Sequence, residues 1–214
     1  MLLEKQEVLK VLDRVNGKLS DDEVLKDMKV FFREVFSVEI MDYIADRIKD
    51  GRLRVIFIVW DVKTAMPFTC DYDHVYADKI KDRFSKACVE HGLNPDYYDP
   101  SDYFITVIPL KSEVEEILMT SENRKIISGI LRKHPEVKRH IISGAKVFVF
   151  YAADKDIVTN SDNGLTTKIR DEICDVFKNV TGLNDSKLGD IRFSSLETMD
   201  GRYGGNFHGF WLDH

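Results

Sequence analysis

Apolar residues along this chain follow two rhythms: stripes at helical spacing, and short continuous runs. Three of the runs, residues 55–60, 103–108 and 147–151, are each followed by a polar turn and an amphipathic helix. They are rich in β-branched and aromatic residues. Unbroken apolar character of this kind suits a strand buried on both faces.

Helical stripes account for most of the remainder. Val8, Leu12 and Val15 share a face that ends at Gly17. Ser20-Asp21-Asp22-Glu23 has the capping-box form, in which the Ser hydroxyl and the Glu carboxylate satisfy free backbone donors reciprocally. Val24, Met28, Phe31, Phe32 and Val35 follow at helical spacing, and Ile40, Ile44 and Ile48 predict a third helix stopped by Gly51. Tyr76, Ile80, Phe84 and Cys88 form a further stripe, closed by Gly92. A helical stretch over residues 112–144 breaks near Ser121 and restarts at Pro135. Leu165, Ile169, Ile173 and Phe177 mark the clearest helix, ended by Gly182. Residues 191–198 and 207–212 flank a glycine-rich segment and read as an antiparallel hairpin.

The order is a helical block followed by β-α-β-α(α)-β-α-β-β. It predicts an α/β fold: a mostly parallel sheet with helices on its faces, an N-terminal helical block over residues 1–51, and an α/β domain over residues 52–214 ending in an antiparallel hairpin. A ferredoxin-like α+β layer with a helical insertion over residues 111–144 is the alternative. Both place residues 55–60 beside residues 147–151. Asp61 and Asp154 then leave one sheet at its carboxyl edge, where open α/β sheets bind ligands. No repeat of solenoid length and no low-complexity segment is visible.

Composition narrows the class. The chain has 214 residues, 43% of them hydrophobic and 32% charged, with few prolines and glycines, as in an ordinary globular protein. No apolar run approaches the ~20 residues of a membrane span, and the N-terminus turns charged too early for a secretory signal. Cys70, Cys88 and Cys174 are too few and too scattered for a disulfide framework, so a cytoplasmic location with reduced thiols is expected. A net charge of −6 argues against a protein that binds nucleic acid over its whole surface. Residues 124–146 nevertheless carry seven Lys or Arg against one acid, with His134 and His140 among them. Arg132, Lys133, Lys138 and Arg139 are the candidate anion or nucleic-acid contacts in that stretch; a solvated helical face is the competing account.

Candidate chemistry is sparse. Asp61 and Asp154 offer the hard oxygen ligands that Mg²⁺ or Mn²⁺ prefers, and a bound ion would polarise a phosphoryl oxygen or activate a water. With Lys63 the segment 58–63 takes a strand-acid-x-Lys form used by metal-dependent nucleases, giving Asp61, Lys63 and Asp154 as a catalytic set. Such nucleases carry a second acidic residue on a strand just upstream. Here that segment reads as helical and offers Asp46 and Asp50. Turn formation by the aspartates is the competing account. The spacing of Cys70, His74, Cys88 and His91 suggests zinc, but residues 74 and 88 lie on one helix about 21 Å apart, against metal bonds of about 2.3 Å. Cys70 beside His74 is the one thiol placed for reactivity. The loop over residues 94–101, with its tyrosines and aspartates, is the candidate recognition loop. No phosphate-binding glycine motif occurs. The reading that requires least of the residues is a non-catalytic interaction or regulatory protein, self-associating through its N-terminal helices or binding another protein. A metal-dependent phosphoryl hydrolase or nuclease, and a nucleic-acid binder acting through residues 124–146, are the alternatives.

Overall fold

The computed structural model describes residues 3–48, 51–69, 74–93, 103–144, 146–183 and 189–213. The chain divides into two units, Met1–Val114 and Glu115–His214. The first holds α1 (Lys5–Val15), α2 (Glu23–Phe36), β1 (Ile40–Arg47), β2 (Leu53–Val59), α3 (Val62–Thr69), α4 (His74–Glu90), β3 (Tyr103–Pro109) and the start of α5 (Leu110–Leu118). The second continues with α6 (Ser121–Leu131), β4 (Arg139–Ser143), β5 (Lys146–Tyr151), α7 (Asp154–Asp162), α8 (Leu165–Thr181), β6 (Asp190–Ser195), α9 (Leu196–Tyr203) and α10 (Phe207–Leu212).

Two three-stranded mixed sheets replace the single, mostly parallel sheet that strand alternation predicts. The orders are β1-β2-β3 and β4-β5-β6. In each, the first pair is antiparallel and the second parallel. The fold is therefore α/β in content, with each parallel pair joined by a two-helix crossover.

The two units repeat one plan: helix, hairpin, two helices, parallel strand, helix. The agreement extends to individual bonds. Val59 pairs with Pro109 and Tyr151 with Ser195. One residue on, the Lys111 N–H donates to the Trp60 carbonyl at 3.0 Å, and the Glu197 N–H to the Ala152 carbonyl at 3.3 Å. The faces agree as well. Val55, Phe57 and Val59 join Met28 and Phe32 of α2 and Ile80 and Phe84 of α4 in one core. The corresponding side of β5 carries Tyr151, whose hydroxyl meets Thr166 Oγ1 of α8 at 3.0 Å. Phe148 and Phe150 face the opposite way, as period-two alternation requires, and pack with Met199 and Phe210. The period from Val59 to Tyr151, about ninety residues, lies beyond solenoid lengths of roughly 20–50 residues, and burial preserves apolar character at each position rather than residue identity.

Three predicted elements are corrected. The third N-terminal helix is strand β1. A spacing of four residues is a multiple of two, so Ile40, Ile44 and Ile48 satisfy a strand pattern as well as a helical one, and pairing with β2 decides between them. A bulge between Ile40 and Asp42 turns Ile40 to the same core as Tyr43 and Ala45, leaving Asp42 for the other face. The helix expected to start at Pro135 is absent: the Lys138 N–H donates to the Phe150 carbonyl at 2.9 Å and opens the β4–β5 hairpin instead. The C-terminal antiparallel hairpin is replaced by parallel strand β6 and helices α9 and α10. Phe207 and Phe210 stand three residues apart, a helical spacing, and both rings pack on Phe148, at centroid distances of 5.2 and 5.7 Å. No described helix is long and apolar enough to cross a membrane.

Candidate anion-binding site

Asp61 lies in the turn after β2 and Asp154 opens α7 just beyond β5, so each belongs to its own sheet and the shared sheet edge on which their pairing rested does not form. Asp61 Oδ1 accepts from the Thr64 N–H and hydroxyl, both at 2.9 Å, and these bonds hold its carboxyl below the usual range. Asp154 Oδ1 accepts from the hydroxyls of Ser195 and Thr198, and these lower its carboxyl in the same way, Ser195 most. Both aspartates therefore serve turns and helix starts. Lys63 is exposed on the first turn of α3.

The upstream strand that the helical reading denied does exist, and it carries acids. Asp42 on β1 is buried and accepts from Arg14 Nε at 2.9 Å. Asp46 takes both a Nε and a Nη2 bond from Arg54, each at 2.7 Å. Both carboxylates are thus engaged by guanidinium groups. Among the described residues, no group of three or more His, Cys, Asp or Glu is placed to hold a metal ion. Cys70, Asp50 and the loop over residues 94–101 lie outside the described residues, as do Asp71 and Asp73, acids close to Asp61 in sequence that could add ligands, and the side chain of His74.

The basic stretch organises around α6. The Thr120 hydroxyl accepts from the Asn123 N–H at 3.3 Å, and Asn123 Nδ2 donates to the Leu118 carbonyl at 2.9 Å, which anchors the first turn. Ile127 and Leu131 are buried. The opposite side of the helix then presents Lys125, Ser128, Gly129 and Arg132 at spacings of three, four and seven residues, one continuous face. With Arg124 these residues line an open cavity of about 260 Å³.

Charge in this cavity has one sign. Arg124 spends Nε on the Met119 carbonyl at 2.9 Å and Nη1 on the Ile142 carbonyl at 3.4 Å. A guanidinium carries five N–H groups, and among the described residues none of those of Arg124 meets a carboxylate. Among the described residues, Lys125 and Arg132 have no ion-pair partner. His140 comes from β4, with Nε2 3.1 Å from Ser128 Oγ. Burial, followed by the nearby Arg132 charge, holds its imidazole below the usual His range.

The repeat supplies an internal comparison. Helix α2 holds the place of α6 in the first unit: α2 packs on α4 and β1, as α6 packs on α8 and β4. The cations of α2 are neutralised, Lys26 by Glu23 at 2.6 Å, Lys29 by Asp21 at 2.6 Å and Arg33 by Glu39 at 3.7 Å. The same scaffold is charge-balanced in one unit and left positive in the other.

Of the residues singled out from sequence, Arg132 lines this cavity. Lys138 donates to the Pro135 carbonyl at 2.8 Å, and Arg139 is exposed at the start of β4. Lys133 lines a neighbouring cavity of about 400 Å³ with His134, Lys168, Glu172 and Asp175, where His134 Nε2 lies 3.0 Å from Glu172 Oε2. Two lysines there face two carboxylates, so no charge is left over. Arg124, Lys125, Ser128, Gly129 and His140 were not among the sequence-derived contacts. The helical spacing 125, 128, 129, 132 was the signal that would have found four of the cavity's residues.

Comparison with protein-family models, with curated proteins and with solved structures finds no match to this chain.

Proposed function

We propose that the protein is a non-catalytic binding protein of the cytoplasm that holds a nucleic-acid strand by its phosphates on the outer face of α6. One observation carries the reading: Arg124, Lys125 and Arg132 line a cavity to which no carboxylate among the described residues contributes. Uncompensated cations in a concavity attract phosphate and release its counterions. Arginine also offers a fork that matches phosphate oxygens two at a time. Lys125 and Arg132 stand two helical turns apart, about 10 Å along the axis. That span matches about three nucleotide steps at 3.4 Å each. An overall charge of −6 opposes contact over the whole surface and favours a local basic site.

The test is fluorescence anisotropy with a labelled 20-nucleotide single strand between 50 and 200 mM salt. Neutralising three phosphates predicts a slope of log affinity against log salt near about −2. Lys125→Glu with Arg132→Glu abolishes binding, whereas Lys26→Ala with Lys29→Ala in the first unit leaves it unchanged. No binding at 50 mM salt ends the proposal.

A further inference from the structure

The α6 cavity offers more than an internal phosphodiester can use. A diester presents one negative charge and two free oxygens. A phosphomonoester carries about −1.5 to −2 charge near neutral pH and three acceptor oxygens. Against these the cavity sets the cations Arg124, Lys125 and Arg132 and the hydroxyl of Ser128. Three cations around one diester would remain in mutual repulsion; around a monoester dianion they are nearly balanced.

Three features favour the smaller, more highly charged group. Arg124 is fixed by its two main-chain carbonyl bonds, so little side-chain freedom is lost on binding. Gly129 leaves the middle of the helix face bare, and a side chain built there would meet nothing within 4 Å. A phosphate can therefore approach the helix surface between Lys125 and Arg132. Ser128 Oγ is held by His140 Nε2 at 3.1 Å. When the imidazole donates along that bond, the hydroxyl hydrogen is free to point into the cavity and to a phosphate oxygen.

We infer that this cavity receives the terminal phosphate of a nucleic-acid strand, with Arg124, Lys125 and Arg132 around the dianion and Ser128 as the neutral donor. The inference rests on the nucleic-acid reading above and adds the group recognised. Internal phosphates of the same strand then leave the cavity; a strand without a terminal phosphate lays its internal phosphates across Lys125 and Arg132 instead.

The experiment compares one 12-nucleotide sequence in three forms, with a 5′-phosphate, with a 3′-phosphate and with hydroxyl ends, on the full chain. A phosphorylated form is expected to bind at least tenfold more tightly than the hydroxyl form, and inorganic phosphate to compete with it alone. Which phosphorylated form binds more tightly identifies the end. Arg132→Gln and Ser128→Ala should reduce the preference, and Arg132 is exposed enough to be changed without disturbing the fold. Equal binding of all three forms overturns the terminal-phosphate inference and leaves the backbone reading standing. A preference that survives Arg132→Gln with Ser128→Ala overturns the assignment to this cavity. No binding of any form removes both readings.

Discussion

Arg14 Nε donates to Asp42 Oδ2 at 2.9 Å, and the two side chains are only 9% and 2% exposed. This buried pair joins α1 to β1, and Asp42 Oδ1 also accepts the Tyr43 N–H at 2.8 Å. Removing one partner strands the other charge. Arg14→Leu is therefore expected to destabilise the fold by about 3–5 kcal/mol, and Asp42→Asn in the same chain to recover a large part of it. Urea melts of the two variants decide; an additive double variant would show the pair to be uncoupled.

The same pair sets a pH dependence of unusual sign. Burial pushes the Asp42 carboxyl above its ordinary value, outweighing the backbone bond and the Arg14 charge that pull it down. A folded-state value above the unfolded one, about 3.9, means the folded protein binds the extra proton. The contribution is thus present below pH ~4 and lost as pH rises through the folded value. Without Arg14 that value moves higher still. The stability deficit of Arg14→Leu should shrink as pH is lowered from 7 towards 4. A deficit that grows on acidification would contradict this account.

Cys88 is fully buried among the α2–α4 core, and burial pushes its thiol up to about 12. Thiolate is the reactive form. In native protein at pH 8, iodoacetamide should leave Cys88 unmodified for hours, and it should label fully in 6 M urea. Mass spectrometry of the Cys88 peptide reads the result. Native labelling as fast as in urea would place this helix out of the core.

Two glycines should respond to alanine in opposite directions. Gly189 sits at φ +79° against Phe177, whose Cε2 a new Cβ would approach to 2.3 Å. Alanine there adds left-handed strain of about 1–2 kcal/mol to overpacking of about 1–3 kcal/mol. Gly129 lies inside α6 in open space, and Gly129→Ala should stabilise by about 0.5–1 kcal/mol. Thermal melts check both. A neutral Gly189→Ala would mean that the Phe177 ring yields at no cost.

Ser195 Oγ accepts the Thr198 N–H at 2.9 Å at the start of α9, and it also donates to Asp154. Loss of this cap in Ser195→Ala is expected to cost about 1 kcal/mol. It also removes the main cause that holds the Asp154 carboxyl low, so that carboxyl should rise in an NMR titration. A depressed carboxyl stabilises above pH ~4 and loses that effect as pH falls through its folded value. The gap between parent and variant should therefore narrow under acid. An unmoved Asp154 resonance would assign its low value to another cause.

Local pattern alone determined α2, α4 and α8, along with the cores of β2 and β5. Residues such as Phe32, Phe84 and Ile173 announce their buried face through spacing, and residues 55–59 admit no wet side. The count of basic residues marks the stretch around α6, but Arg132, Lys133, Lys138 and Arg139 fall on different surfaces, and only Arg132 lines the α6 cavity. Whether a cation is free depends on which carboxylates fold beside it. Lys26, paired with Glu23, and Lys125, which has no ion-pair partner among the described residues, look alike in sequence. Tertiary structure alone decided that residues 40–47 form a strand, because Ile40 and Ile44 fit either period until β2 supplies hydrogen-bond partners. It alone separated Asp61 from Asp154 into two sheets, since strand pairing is a choice among distant segments. The repeated plan emerged at the same level. Apolar contact tolerates substitution as long as volume and face are kept, so two copies can diverge in residue identity while register and packing persist.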